Sequence, residues 1–149
     1  NISLMWFGAP LAAYICRRNV LIGLSSWGLI MANGFVHSFG GTTQGTYNTG
    51  LWTAAVLFIP LSLWVIYACA IRGPYSGKVV GVAYAAGALT HVFLFIGYGL
   101  FKNGVIGNAS LLVYAVVIGF TPIILAALAS RFFNPEFLRP VSALSLPRF

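Results

Sequence analysis

Four stretches of about 20 largely apolar residues, at 20–39, 51–71, 79–101 and 109–130, constrain this chain more than any motif in it. At ~1.5 Å per residue each is long enough to cross the ~30 Å hydrocarbon layer of a bilayer. Lipid offers no partner to backbone N–H and C=O groups, so a segment immersed in it has to satisfy them internally, as a helix does. The rest of the composition agrees. Hydrophobic residues make up 60% of the chain and charged residues only 6%, with a mean hydropathy of +0.93. A water-facing surface cannot be assembled from that share of charge, which excludes the soluble enzyme classes. The sequence predicts an all-α, polytopic transmembrane helical bundle forming one domain over residues 1–149. It holds no internal repeat, no low-complexity tract and no linker.

A shorter apolar run at 2–16, interrupted by Pro10, brings the expected number of helices to about five. The chain opens at Asn1 with no Met, no basic region precedes this run and no small-residue cleavage pattern follows it, so it reads as the remainder of a longer helix and not as a signal peptide. The natural polypeptide is expected to extend upstream. Of the eight Lys/Arg, seven (Arg17, Arg18, Arg72, Lys78, Arg131, Arg139 and Arg148) fall at one set of helix ends and only Lys102 at the other. By the positive-inside rule the N-terminus is outside, the loop at 40–50 outside and the C-terminus inside. The tail at 131–149 has three prolines and alternates aromatic with basic residues, which suits a strap along the inner membrane surface.

A net charge of +7 in a soluble protein would suggest a polyanion partner. Here the basic residues are dispersed among helix ends and have no clustered face, so nucleic acid is excluded and the lipid bilayer is the expected partner. The single acid, Glu136, lies in the tail. Without carboxylates the spans cannot build a proton-relay chain, a carboxylate-bridged metal pair or a glycosidase pair. Cys16 and Cys69 both sit at predicted inner ends and read as free thiols. Two glycosylation sequons, at Asn1 and Asn108, lie close to the membrane and carry little weight.

Polar side chains inside the spans are more informative, because each costs energy in lipid and is normally kept for a partner. Asn33 and His37, four residues apart, project from one helix face. His91 falls near the middle of its span, with Ala83 and Gly87 at four-residue spacing below it leaving room for a neighbouring helix or a bulky ligand. His91, and with it His37, are the candidate cofactor-binding residues: neutral imidazoles in an apolar setting suit axial ligation of a haem or of the magnesium of a chlorin. The simpler alternative is that both histidines hydrogen-bond helices together. Two-histidine zinc or iron sites want further ligands that the spans do not supply. The aromatic residues of the third and fourth expected helices read more simply as interface belts than as a pigment, quinone or sterol pocket. Pro60 and Pro122 should kink their helices, and Gly40-Gly41 reads as a turn.

The stretch Asn33-Gly-Phe-Val-His37, a short polar loop, and Tyr47-Asn48-Thr49-Gly50-Leu-Trp-Thr53 leading into an apolar run that reaches Pro60 resembles the middle portion of the HXXEE-motif family of small bacterial membrane proteins. In that family an Asn-x3-His pair closes one helix and a Tyr-Asn-Pro-Gly-like turn opens the next; Thr49 stands here in place of the proline. The resemblance covers roughly residues 5 to 70. It marks Asn33, Tyr47 and Asn48 as structural polar residues and implies a bacterial cytoplasmic membrane. It also implies a His/Glu/Glu cluster suited to a metal site that Asn33 and His37 would complete. The His-x-x-Glu-Glu signature itself is not among these 149 residues and is expected upstream of Asn1.

Three functions fit these observations. The first, which asks least of a chain with so few reactive groups, is a non-catalytic accessory subunit packing against a larger membrane assembly of other subunits. The second is a haem- or chlorin-binding membrane protein using His91 and His37. The third is a metal-dependent membrane enzyme whose acidic ligands lie upstream.

Overall fold

Asn19 starts the first helix that the computed structural model describes: its side-chain oxygen accepts from Leu21 N–H at 3.1 Å and its carbonyl from Ile22 N–H at 3.2 Å, satisfying donors that a helix N-terminus leaves open. The described residues are 11, 14, 19–43, 50–73 and 75–132, and all their regular structure is helical. Helix α1 runs Val20–Thr43. It therefore continues through Gly40-Gly41, where a turn was expected. Glycine disfavours a helix by only ~1 kcal/mol relative to alanine, and no proline stops this one.

Helix α2, Leu51–Ile71, opens behind Gly50, whose φ of 102° lies in the left-handed region. It contains two widened turns, at Ala54–Phe58 and Tyr67–Ile71. In the first, Ile59 N–H reaches back five residues to Ala54. The expected Pro60 kink thus takes the form of a π turn, which eases the clash between the proline ring and the carbonyl four residues earlier. Helix α3, Gly77–Lys102, is capped by Ser76, whose hydroxyl accepts from Val79 N–H at 3.4 Å. It ends in a Schellman arrangement at Gly104 (φ 71°), with Gly104 N–H on Phe101 O and Val105 N–H on Leu100 O, both at 2.9 Å. Helices α4, Asn108–Gly119, and α5, Thr121–Ser130, form one broken span. The break at Phe120 is the kink expected from Pro122, which cannot donate to the ladder and enters the first turn of α5.

Four helical stretches, Val20–Gly40, Leu51–Ile71, Gly77–Lys102 and Asn108–Ser130, are long and apolar enough to cross a membrane, matching the four longer expected spans within a few residues. Of the expected span at 2–16 only Leu11 and Tyr14 fall among the described residues, both helical and exposed; of the tail, only Arg131 and Phe132 do.

Helices α1 and α3 form the central pair: 39% of each span is buried, against 17% for α2 and for Asn108–Ser130, which pack around them. The pair crosses closely. A Cβ on Gly28 would run into the Tyr84 backbone, and one on Gly87 into the backbone of Ser25, Gly28 and Leu29. Such close approach over small residues is how helices gain contact in lipid, where no expulsion of water drives them together. Ala83 and Gly87 therefore make room for a helix of the same chain. An apolar cluster lies at the end of the bundle that carries Tyr75, where Leu21 and Leu24 of α1, Val65 of α2, Val79 and Ala83 of α3 and Ala126 of α5 meet.

Candidate functional site: a polar cluster between the central helices

The cluster is built by the helical repeat. Asn33 and His37 are one turn apart on α1, and His91 of α3 comes to Asn33 across the central crossing, its Nε2 3.2 Å from Asn33 Oδ1. An amide oxygen only accepts, so Nε2–H of His91 is the donor, and the lone pair of the neutral ring falls on Nδ1. His91 is 7% exposed, and its Nδ1 is buried with no hydrogen-bond partner among the described residues. The neighbouring Thr90 hydroxyl, on a residue 1% exposed, is likewise buried and unpartnered. Two unmet polar atoms in one turn of a membrane helix are costly, since burial without a hydrogen bond carries the desolvation penalty undiminished.

His37 packs over the start of α2. A Cβ on Gly50 would lie 3.3 Å from His37 Nδ1 and 3.4 Å from Cε1. Glycine is thus required at position 50 twice, for the positive φ and for the ring above it. The structure therefore brings Asn33 and His91 together and sets His37, one turn from Asn33, over Gly50. Tyr47 and Asn48 lie outside the described residues. Among the described residues no group of three or more His, Cys, Asp or Glu side chains forms. Axial ligation through His91 would have to use the more hindered Nδ1 or break the bond to Asn33.

A second feature lies on the membrane-facing side. An apolar groove of about 450 Å³ runs between α1, α2 and α3, lined among others by Met31, Phe35, Ala70, Gly81, Ala85 and Ala88, with neither histidine in its wall. Its floor is stiffened by hydrogen bonds that sequence reasoning missed. Tyr84 O–H donates to Ser62 O at 2.7 Å, and Ser62 Oγ to Trp27 O at 3.4 Å, tying α3 to α2 and α2 to α1. Further along, Tyr114 lays its ring on Gly97 and donates to Phe93 O at 2.7 Å, holding α4 to α3. A polar atom on an otherwise apolar helix face was the only signal for these ties, and it does not name the partner.

With that geometry in place, comparison with known families bears on the Asn33–His37 half of the cluster. Residues 1–65 match the family described as "Protein of unknown function with HXXEE motif". That HXXEE segment contains α1, Gly50 and most of α2, so it includes Asn33, His37 and the glycine beneath it, while His91 lies beyond it. No curated protein and no solved structure matches the chain.

Proposed function

We infer that this chain is a non-catalytic accessory subunit of the bacterial cytoplasmic membrane that packs, through the groove between α2 and α3, against a helix of a larger membrane assembly. The observation that carries this reading is a contrast among glycines. Gly28 and Gly87 are small because the chain's own backbone stands where a Cβ would go. Gly77 and Gly81 line the groove, yet no atom of the described residues lies within 4 Å of the Cβ position at either. Gly81, inside α3, forgoes ~1 kcal/mol relative to alanine, and no contact among the described residues makes use of the space. Together with Ala85 and Ala88 they form a seat of small residues, the surface over which a second helix approaches closely in lipid. The absence of acidic residues from the spans favours a structural over a catalytic role.

The test is the size of the particle released by gentle detergent from its native membrane. The 16.0 kDa chain should migrate within a larger assembly, and Gly81→Leu should reduce it to the single chain with unchanged helix content by circular dichroism. A wild-type chain that emerges as a monodisperse monomer would overturn this reading.

A further inference from the structure

The end of α2 is wound so as to bring an arginine back onto a tyrosine. Tyr67 and Arg72 are five residues apart, and on a regular α-helix they would stand about 140° apart around the axis. The widened turn at Tyr67–Ile71, in which Arg72 N–H reaches back to Tyr67 O at 3.0 Å, closes over five residues and sets the two side chains on one face. There Arg72 Nε donates to the Tyr67 hydroxyl at 2.8 Å, and the guanidinium carbon lies 5.8 Å from the centre of the ring, within cation–π range. Both residues are exposed. That bond uses one of the five N–H groups of a guanidinium. The four on the terminal nitrogens meet no acceptor among the described residues. We propose that Arg72, with Tyr67 as its positioning residue, grips the phosphate of an anionic phospholipid in the leaflet at this end of the bundle.

Charge, depth and geometry select the ligand. No Asp or Glu falls among the described residues, and the eight Lys/Arg of these 149 residues are set against the single acid Glu136. One carboxylate cannot balance eight cations, so most of the counter-charge has to come from outside these residues. Arg72 directly follows a span of 21 residues, about 31 Å by its rise, which puts it at headgroup level with the Tyr67 ring at the edge of the hydrocarbon layer. Basic and aromatic side chains meet a membrane interface in this way. A guanidinium fork matches two oxygens of one phosphate, as an ammonium does not. Lys78 in the first turn of α3 and Arg131 just after α5 are exposed at the same end of the bundle and add to its positive potential. A headgroup with its own ammonium would bring a further cation to a surface that has no described carboxylate to receive it. Phosphatidylglycerol instead brings a net negative charge. The lipid site goes beyond the accessory role and does not depend on the groove or on any partner subunit.

The test is native mass spectrometry of the full chain released from detergent micelles that hold equal amounts of phosphatidylglycerol and phosphatidylcholine. Among chains that keep a single lipid, the wild type, which needs no variant to fold, should favour phosphatidylglycerol about fivefold. Arg72→Gln should remove most of that preference, and Arg72→Lys, which keeps the charge without the fork, should restore little of it. Tyr67→Phe, which keeps the ring and loses the hydroxyl, should give an intermediate value. Lys102→Gln, at the opposite end of α3, should leave the preference unchanged. Equal retention of the two lipids by the wild type, the outcome if Arg72 is kept for an acidic helix of a partner subunit, would overturn the proposal. So would a full preference in Arg72→Lys, which would reduce the site to diffuse charge, or displacement of the bound lipid by inorganic phosphate beyond the effect of chloride at the same ionic strength.

Discussion

Two stripes of small residues run along α3, and among the described residues only one of them is covered by another helix. Ala83, Gly87 and Thr90 are buried, and the α1 backbone crosses directly over Gly87. Gly77, Gly81, Ala85 and Ala88 lie about half a turn away and face the groove, where Gly77 and Gly81 have no neighbour among the described residues within 4 Å of a would-be Cβ. The spacing within the two stripes is nearly the same. What separates them is a second helix, distant in sequence, that has settled on one and not on the other. A glycine in a membrane helix is thus explained by what approaches it, and the same residue type lies under a helix crossing in one place and in a groove wall bare of described neighbours in another.

The strongest way to break this comparison is to fill the finished contact. Gly87→Leu would place a branched side chain where the Ser25 and Leu29 backbone stands, and the expected loss is ~3 kcal/mol or more, seen as a large fall in unfolding temperature in detergent. A variant that unfolds like the wild type would show that the α1–α3 crossing does not hold the bundle. Next in size is Gly50→Ala, which forces an L residue to φ 102° and presses on His37; ~1–2 kcal/mol is expected, measured by denaturant titration.

Removing the polar tie comes third. His91→Ala should cost about 1 kcal/mol, in the range of interhelical hydrogen bonds in membranes, and a double-mutant cycle with Asn33→Ala should recover a coupling of similar size. Additive single effects would mean that the two side chains do not depend on each other. The smallest effect sharpens the contrast. Gly81→Ala should leave the isolated chain unchanged or stabilise it by up to ~1 kcal/mol, because a Cβ there meets nothing and alanine is the better helix former. A marked destabilisation of the isolated chain would place a neighbour on the groove face.

The spans were legible in the sequence because lipid imposes one rule on all of them: apolar length, interrupted by charge at the ends. Proline carried its meaning as well, since a missing N–H acts locally, and Pro60 and Pro122 both disrupt the regular α ladder where expected. The run of α1 through Gly40 and Gly41 was misread because glycine only weakens a helix and has no fixed boundary effect. The polar cluster was half legible. Asn33 and His37 share a face by helical geometry alone, but which of them meets His91, and through which ring nitrogen, depends on the crossing angle of two helices 58 residues apart. Gly50 was read as part of a turn, and its second role beneath the His37 ring required the return of the chain. The ties from Tyr84 to Ser62 and from Ser62 to Trp27 were invisible for the same reason.

The unequal lengths of α2 and α3 set a condition on the surrounding lipid. With 21 residues α2 is about 31 Å long, close to the ~30 Å hydrocarbon thickness, whereas α3 with 26 is about 39 Å. Neighbouring helices of one bundle therefore ask for two different bilayer thicknesses. A helix longer than the hydrocarbon layer is accommodated by tilting, by local thickening of the bilayer or by a long basic side chain at its end such as the exposed Lys102, so the difference in length between α2 and α3 makes the molecule sensitive to hydrophobic mismatch.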